Sequence, residues 1–120
     1  MDAIIDDLRA GLPGFQGAAL GRLDHPDEVR WTDAGFDLAE AAEPLLDLLT
    51  AWQRAYDALG GRVDVGSEDE VLVSASKGYL LARIDHRTRW FVLVSLGSSG
   101  NVGFLRYRLR AVLKRLGEAA

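Results

Sequence analysis

Residues 89–116 read RWFVLVSLGSSGNVGFLRYRLRAVLKRL, and this stretch decides the fold. Trp90, Phe91, Val92, Leu93, Val94 and Leu96 form a nearly unbroken apolar run with Ser95 as its one polar member. Such a run predicts a strand buried on both faces, in the middle of a sheet. Beyond the turn Gly97, Ser98, Ser99, Gly100, the residues Val102, Leu105, Leu109, Val112, Leu113 and Leu116 recur at helical spacing. They mark one apolar stripe of a helix capped by Asn101 or Ser99. A strand covered on both faces needs helices on both faces of its sheet, so the other helices of the chain must be divided between them.

Working back from that strand, Asp69 to Ser76 and Gly78 to Asp85 read as two further strands. The short links at Lys77 and at His86, Arg87 and Thr88 force antiparallel neighbours. Val71, Val73 and Ala75 alternate with Glu70, Leu72 and Ser74, the pattern of a strand near an edge, where a second chain could add on. The longest helix falls between Asp33 and Gly61 with an irregular start, because Pro44 suits a first turn better than an interior. On a helical wheel Leu45, Leu48, Leu49, Trp52, Tyr56 and Leu59 share a band of roughly 100° that covers the sheet. Ala51, Ala55 and Ala58 form a ridge of small residues on one flank, while Asp47, Thr50, Gln53, Arg54 and Asp57 are expected to face solvent. Gly60 and Gly61 stop the helix.

Nearer the N-terminus, Ile4, Ile5, Leu8 and Leu12 form the apolar side of a short helix capped by Asp2 and ended by Gly11 and Pro13. Phe15 to Leu23 follows as a strand whose Gly17, Ala18, Ala19 and Gly21 leave room for a closely packed neighbour, such as a helix. After a turn at Asp24 to Asp27, Glu28 to Thr32 returns as its hairpin partner. The expected order is therefore α-β-β-α-β-β-β-α: an α/β (α+β) chain, one domain over residues 1–120, with a five-stranded antiparallel sheet and helices on both faces.

A length of 120 residues suffices to bury a core without staples. The absence of cysteine excludes disulfides, a thiol nucleophile and zinc-thiolate sites. A net charge of −4 argues against nonspecific nucleic-acid binding. No apolar run approaches the roughly 20 residues of a membrane span, and no basic segment precedes an apolar signal core, so a cytoplasmic protein is expected.

Three local sequences, together with the element order, resemble the Roadblock/LC7 family, the group of dynein light chains and bacterial MglB-like proteins. They are Leu12, Pro13, Gly14 and Phe15; Gly60 and Gly61; and Gly100, Asn101, Val102, Gly103, Phe104, Leu105 and Arg106. The resemblance covers nearly the whole chain. It implies a profilin-like fold and a homodimer in which the long helices pack side by side and the third strands pair. It also implies a regulatory scaffold for a small Ras-like GTPase, in bacteria of the MglA type, with no catalytic site of its own. Alanine is also simply a good helix former, and it is the implied dimer that turns the ridge into an interface. Ala51, Ala55, Ala58, Val71 and Val73 are then the expected dimer contacts, and Thr50, Gln53, Arg54 and Asp57 the expected partner-binding residues. Two departures stand out: His25 and Pro26 occupy a turn that is simpler in many relatives, and Pro44 lies where relatives have an early helical turn.

Other chemistry reads weakly. Gly97, Gly100 and Gly103 with Ser98 and Ser99 suggest an anion cradle, but they lack the ending of a P-loop and the spacing of a dinucleotide fingerprint, which favours a tight strand-to-helix turn. His25 and His86 lie in turns beside Asp24 and Asp85, and solvated side chains are expected there rather than general bases. Glu68, Asp69 and Glu70 lack calcium-loop spacing, and no metal or cofactor is expected. Arg106, Arg110 and Lys114 form a basic row flanked by Arg108 and Arg115, expected to be a solvated face, with an acidic protein partner as the functional alternative. Phe104 and Tyr107, off the apolar stripe, are expected to pack on the first helix. A different class of function, a PAS-like small-ligand sensor, would need a roomy pocket between sheet and long helix.

Overall fold

The computed structural model describes residues 2–32, 38–60 and 66–119. In chain order the elements are α1 (Asp2–Gly11), β1 (Phe15–Arg22), a 3-10 turn (Pro26–Glu28), β2 (Arg30–Trp31), α2 (Leu38–Leu59), β3 (Glu68–Ala75), β4 (Gly78–Asp85), β5 (Trp90–Gly97) and α3 (Val102–Ala119). The five strands lie in the order β2-β1-β5-β4-β3, every neighbouring pair antiparallel. The apolar run thus lies at the centre of the sheet, and Phe91 to Leu96 are all buried. Its polar member is not orphaned: the buried Ser95 hydroxyl donates to Gln16 Oε1 at 2.9 Å.

Successive residues of a strand face opposite sides, and both sides of β5 are covered. Val92, Val94 and Leu96 join Leu8 of α1, Leu12 just beyond its end, and Leu105, Leu109 and Leu113 of α3. Phe91 and Leu93 join Leu45 and Leu49 of α2, with Trp52 packed at the margin. Helices α1 and α3 therefore share one face, and α2 has the other. Among the described residues no helix is long and apolar enough to cross a membrane.

The turn after β5 is held backbone to backbone. Gly97 N–H donates to Gly14 O at 2.8 Å and Gly100 N–H to Gly97 O at 2.9 Å. Gly14 has φ +80°, and a Cβ there would come within 3.3 Å of Gly100 Cα. Two of the amides that an anion cradle would need are thus already bonded. The question of the α3 cap resolves to Asn101, whose Oδ1 accepts from Phe104 N–H at 2.9 Å.

Several boundaries differ from expectation. The expected strand from Glu28 to Thr32 shrinks to Arg30–Trp31, because Pro26–Glu28 closes a 3-10 turn instead. Gly21 makes room for Val29 of this return, whose Cγ2 lies 2.9 Å from where a Cβ would sit, rather than for a helix. Pro44 lies inside α2, not in its first turn. Its ring is exposed, so it deletes one backbone donor without disturbing the apolar side on which Leu45 and Leu49 are buried. The expected helix start at Asp33, the stop at Gly61 and the capping side chain of Asp2 lie outside the described residues.

A buried polar joint fastens α2 to the sheet. Gln53, expected on the solvent side, is 5% exposed, and its Nε2 donates to His86 O at 3.0 Å and to Asp57 Oδ1 at 3.1 Å. Those two acceptors fix the amide's orientation, leaving Oε1 against His86 Nδ1 at 2.9 Å. His86 Nε2 lies 2.6 Å from Asp69 Oδ2 on β3, and the Tyr56 ring stacks on the imidazole at 5.1 Å. The expectation of a solvated turn histidine thus fails for His86, which is 2% exposed, whereas His25 is exposed. Arg89, the one non-glycine residue with positive φ among those described, holds the turn around His86 and donates from Nη2 to Asp57 Oδ2 at 3.0 Å.

Two stability predictions arise from these contacts. Asn101→Ala should lower unfolding free energy by about 1 kcal/mol and Ser99→Ala by almost nothing, measured by urea denaturation. Gln53→Ala should cost about 1–3 kcal/mol, because it leaves a carbonyl and an imidazole nitrogen unpaired inside the protein, while the exposed Arg54→Ala should stay within about 0.5 kcal/mol of wild type.

Candidate functional site

The side of α2 turned away from the core is built from small and polar residues. Ala51, Arg54, Ala55 and Ala58 are exposed. Alanine at these positions keeps the helix intact while removing side-chain bulk, so a second helix could approach to about 8 Å between axes. Leu59 closes this flank at 39% exposure. A cleft of about 280 Å³ runs along it, lined by Trp52, Ala55 and Leu59 from α2 and by Gly66, Glu68 and Asp69 at the start of β3.

Strand β3 ends the sheet on this side. It pairs with β4 over its whole length, from Glu68 opposite Asp85 to Ala75 opposite Gly78. Its other edge meets no strand among the described residues, so its outward N–H and C=O groups form a template for a further strand. Val73 is 39% exposed, whereas Val71 is half-buried and packs against the core beneath α2. The alternation read from the sequence places both valines on the α2 face, next to the alanine flank.

The four expected partner-binding residues do not form one patch. Arg54 is exposed and makes no hydrogen bond or ion pair with the described residues. Thr50 is half-buried and donates to Leu46 O at 2.8 Å. Asp57 is exposed but engaged by Gln53 and Arg89, and Gln53 is internal. A signal for Gln53 was present on the helical wheel, where it lies only about 40° from Leu49. Nothing in the sequence ties it to His86, because the two meet only once α2 is docked.

On the opposite sheet face the acidic run is divided. Glu68 and Glu70 accept from Arg83 at 3.2 and 2.7 Å, and Glu70 also accepts from Arg106 at 2.6 Å, while Asp69 turns to His86. On the α2 side of the sheet Leu49, Leu80, Ile84, Phe91 and Leu93 pack into one buried cluster.

No protein-family model matches the chain, and no curated protein matches it. Solved structures do. A Roadblock/LC7 domain from Streptomyces avermitilis is similar at a TM-score of 0.69 and 19% identity, over 99% of this chain and 96% of that one. MglC from Myxococcus xanthus is similar at a TM-score of 0.54 and 23% identity, over 99% and 98%. With α2 alone on one face, α1 and α3 on the other and β3 at the free edge, the chain has the Roadblock/LC7 fold.

Proposed function

We propose that this protein is a non-catalytic homodimeric regulator or scaffold that binds a small Ras-like GTPase of the MglA type in the cytoplasm and modulates its nucleotide cycle. The observation that carries the reading is the coincidence, on one side of the molecule, of the exposed alanines of α2 and the open edge of β3. Pairing β3 with its copy satisfies backbone groups along the edge. The same two-fold operation sets α2 beside its copy, with Ala51, Ala55 and Ala58 at the seam. Val73 and Leu59 lose their exposed apolar surface in the process. The likeness to a Roadblock/LC7 domain and to MglC supports a regulatory or adaptor role over an enzymatic one.

The GTPase would lie across the paired α2 helices. Arg54 and Thr50 offer a cation and a hydroxyl there, and Asp57 offers a carboxylate already oriented by Gln53 and Arg89. Gln53 itself contributes by holding the helix in place. Any acceleration of hydrolysis would come from ordering the partner's own switch residues, a matter of positioning and electrostatics. A structural adaptor in a larger complex is the second reading; it uses the same surface with a partner indifferent to nucleotide.

Sedimentation should give a mass of twice 13.1 kDa for the wild type. Ala55→Glu, at an exposed position, should give a folded monomer; an unchanged dimer refutes the seam. Pull-down from the native lysate should recover a small GTPase with GTP analogue and little with GDP. Recovery independent of nucleotide supports the adaptor instead.

A further inference from the structure

The outward face of α3 is rich in positive charge. The helix carries Arg106, Arg108, Arg110, Lys114 and Arg115, with no acidic residue before Glu118. Three of these cations fold back onto the protein's own body. Arg106 donates to Glu70 at 2.6 Å, Arg108 to Asp7 O at 3.3 Å and Arg115 to Asp7 Oδ2 at 3.2 Å. Arg110 and Lys114 are exposed, and neither makes a hydrogen bond or ion pair with the described residues.

Beside them stand two aromatics that were expected to pack on α1 and do not. Tyr107 is 70% exposed and Phe104 40%, three residues apart and hence neighbours on the helix surface. Ala111 continues the row one turn on. Next to it, a cleft of about 140 Å³ opens between α1 and α3, with Ile4, Leu8, Ala111 and Val112 as its apolar lining and Asp7, Arg108 and Arg115 completing its wall. The face therefore combines unpaired positive charge, two exposed rings and a seat for one apolar side chain.

These features select among occupants. A second copy docked face to face would bring one positively charged face against another, a like-charge contact. A nucleic acid needs many phosphate contacts, which two free cations on a protein of net charge −4 do not supply. An acidic protein segment with an apolar anchor meets both the cations and the rings. We propose that the outer face of α3, formed by Phe104, Tyr107, Arg110, Ala111 and Lys114, is a docking surface for an acidic helical segment of a partner protein. It lies on the far side of the sheet from α2, so it can be occupied while the α2 and β3 surface is engaged, and the protein then bridges two partners. The inference stands apart from the proposed GTPase role.

The test is a titration of the ¹⁵N-labelled protein with a synthetic fourteen-residue helical peptide bearing glutamates on one side and leucines at i, i+3 and i+4. A control peptide carries lysine in place of every glutamate. Saturable amide shifts confined to residues 104–115 and the facing side of α1 are expected with the acidic peptide only. The double variant Arg110→Glu, Lys114→Glu and the single variant Tyr107→Ala should each weaken binding at least about tenfold, about 1.4 kcal/mol, with far-UV circular dichroism unchanged. No saturable shift, shifts centred on α2 or β3, equal binding of the lysine peptide, or unchanged affinity in the double variant each overturns the proposal. So does binding to vesicles of phosphatidylcholine and phosphatidylglycerol that the double variant abolishes, which would assign the face to an anionic membrane.

Discussion

Burial of β5 from both sides is the constraint on which the rest of this structure depends. Five consecutive positions from Phe91 to Ser95, and Leu96 after them, are removed from water, and each large apolar side chain among them contributes about 1.5–3 kcal/mol. Such a strand cannot sit at an edge, and a single layer of helices cannot cover it. Two helices go to one face and the longest goes alone to the other. Because α2 must cover the sheet by itself, Leu45 and Leu49 of its apolar side are buried in the core, while Leu59 at its end, expected to cover the sheet, stays exposed. Its remaining surface can be small and polar, and the last strand is left with an open edge. The surface proposed for self-association is thus what remains when the central strand is satisfied.

The joint of Gln53, His86, Asp69 and Tyr56 sets how α2 lies on that sheet. Apolar packing alone permits a helix to slide or roll by small amounts over a smooth strand layer. Two hydrogen bonds between one glutamine and the carbonyl and imidazole of His86 in the turn permit a single placement. The turn must present His86 inward for this to work, and Arg89 makes that possible at the cost of a positive φ of 65°. Its amide donates to Asp85 O at 2.7 Å, its carbonyl accepts from Leu23 N–H, and its side chain reaches Asp57. One unfavourable backbone conformation is thereby surrounded by three compensating contacts. The exposed residues of α2 inherit their positions from this buried arrangement.

Much of the fold was legible because apolar periodicity reports burial directly: β5, the stripe of α3 and the three-strand meander all follow from it. Polar burial leaves no such trace. Gln53 reads as a surface residue until His86, thirty-three positions away, supplies a second polar group to meet it. Pro44 misleads for a related reason, since the rule against interior proline concerns one backbone hydrogen bond, and the packing of Leu45 and Leu49 outweighs it. Phe104 and Tyr107 misled in the other direction. Hydrophobicity argued for a neighbour, but the residues of α3 that meet α1 across their shared cleft are Arg108, Ala111, Val112 and Arg115, and both rings stay exposed. The alanine flank was visible from the start, though its meaning came from the resemblance rather than from the residues.

The strand order has a consequence for how the chain comes together. β3, β4 and β5 are consecutive hairpins and can form as soon as they are made. β1 instead pairs with β5, Phe15 opposite Leu96 and Arg22 opposite Trp90, partners 81 and 68 positions apart in the chain. During synthesis on the ribosome, β1 and the apolar side of α1 must therefore wait for the C-terminal third before they can be covered. Such long-range closure is entropically costly and slow compared with hairpin formation. The nascent protein exposes Ile4, Ile5 and Leu8 until α3 emerges, and its apolar surface is open to capture by chaperones before the sheet is completed.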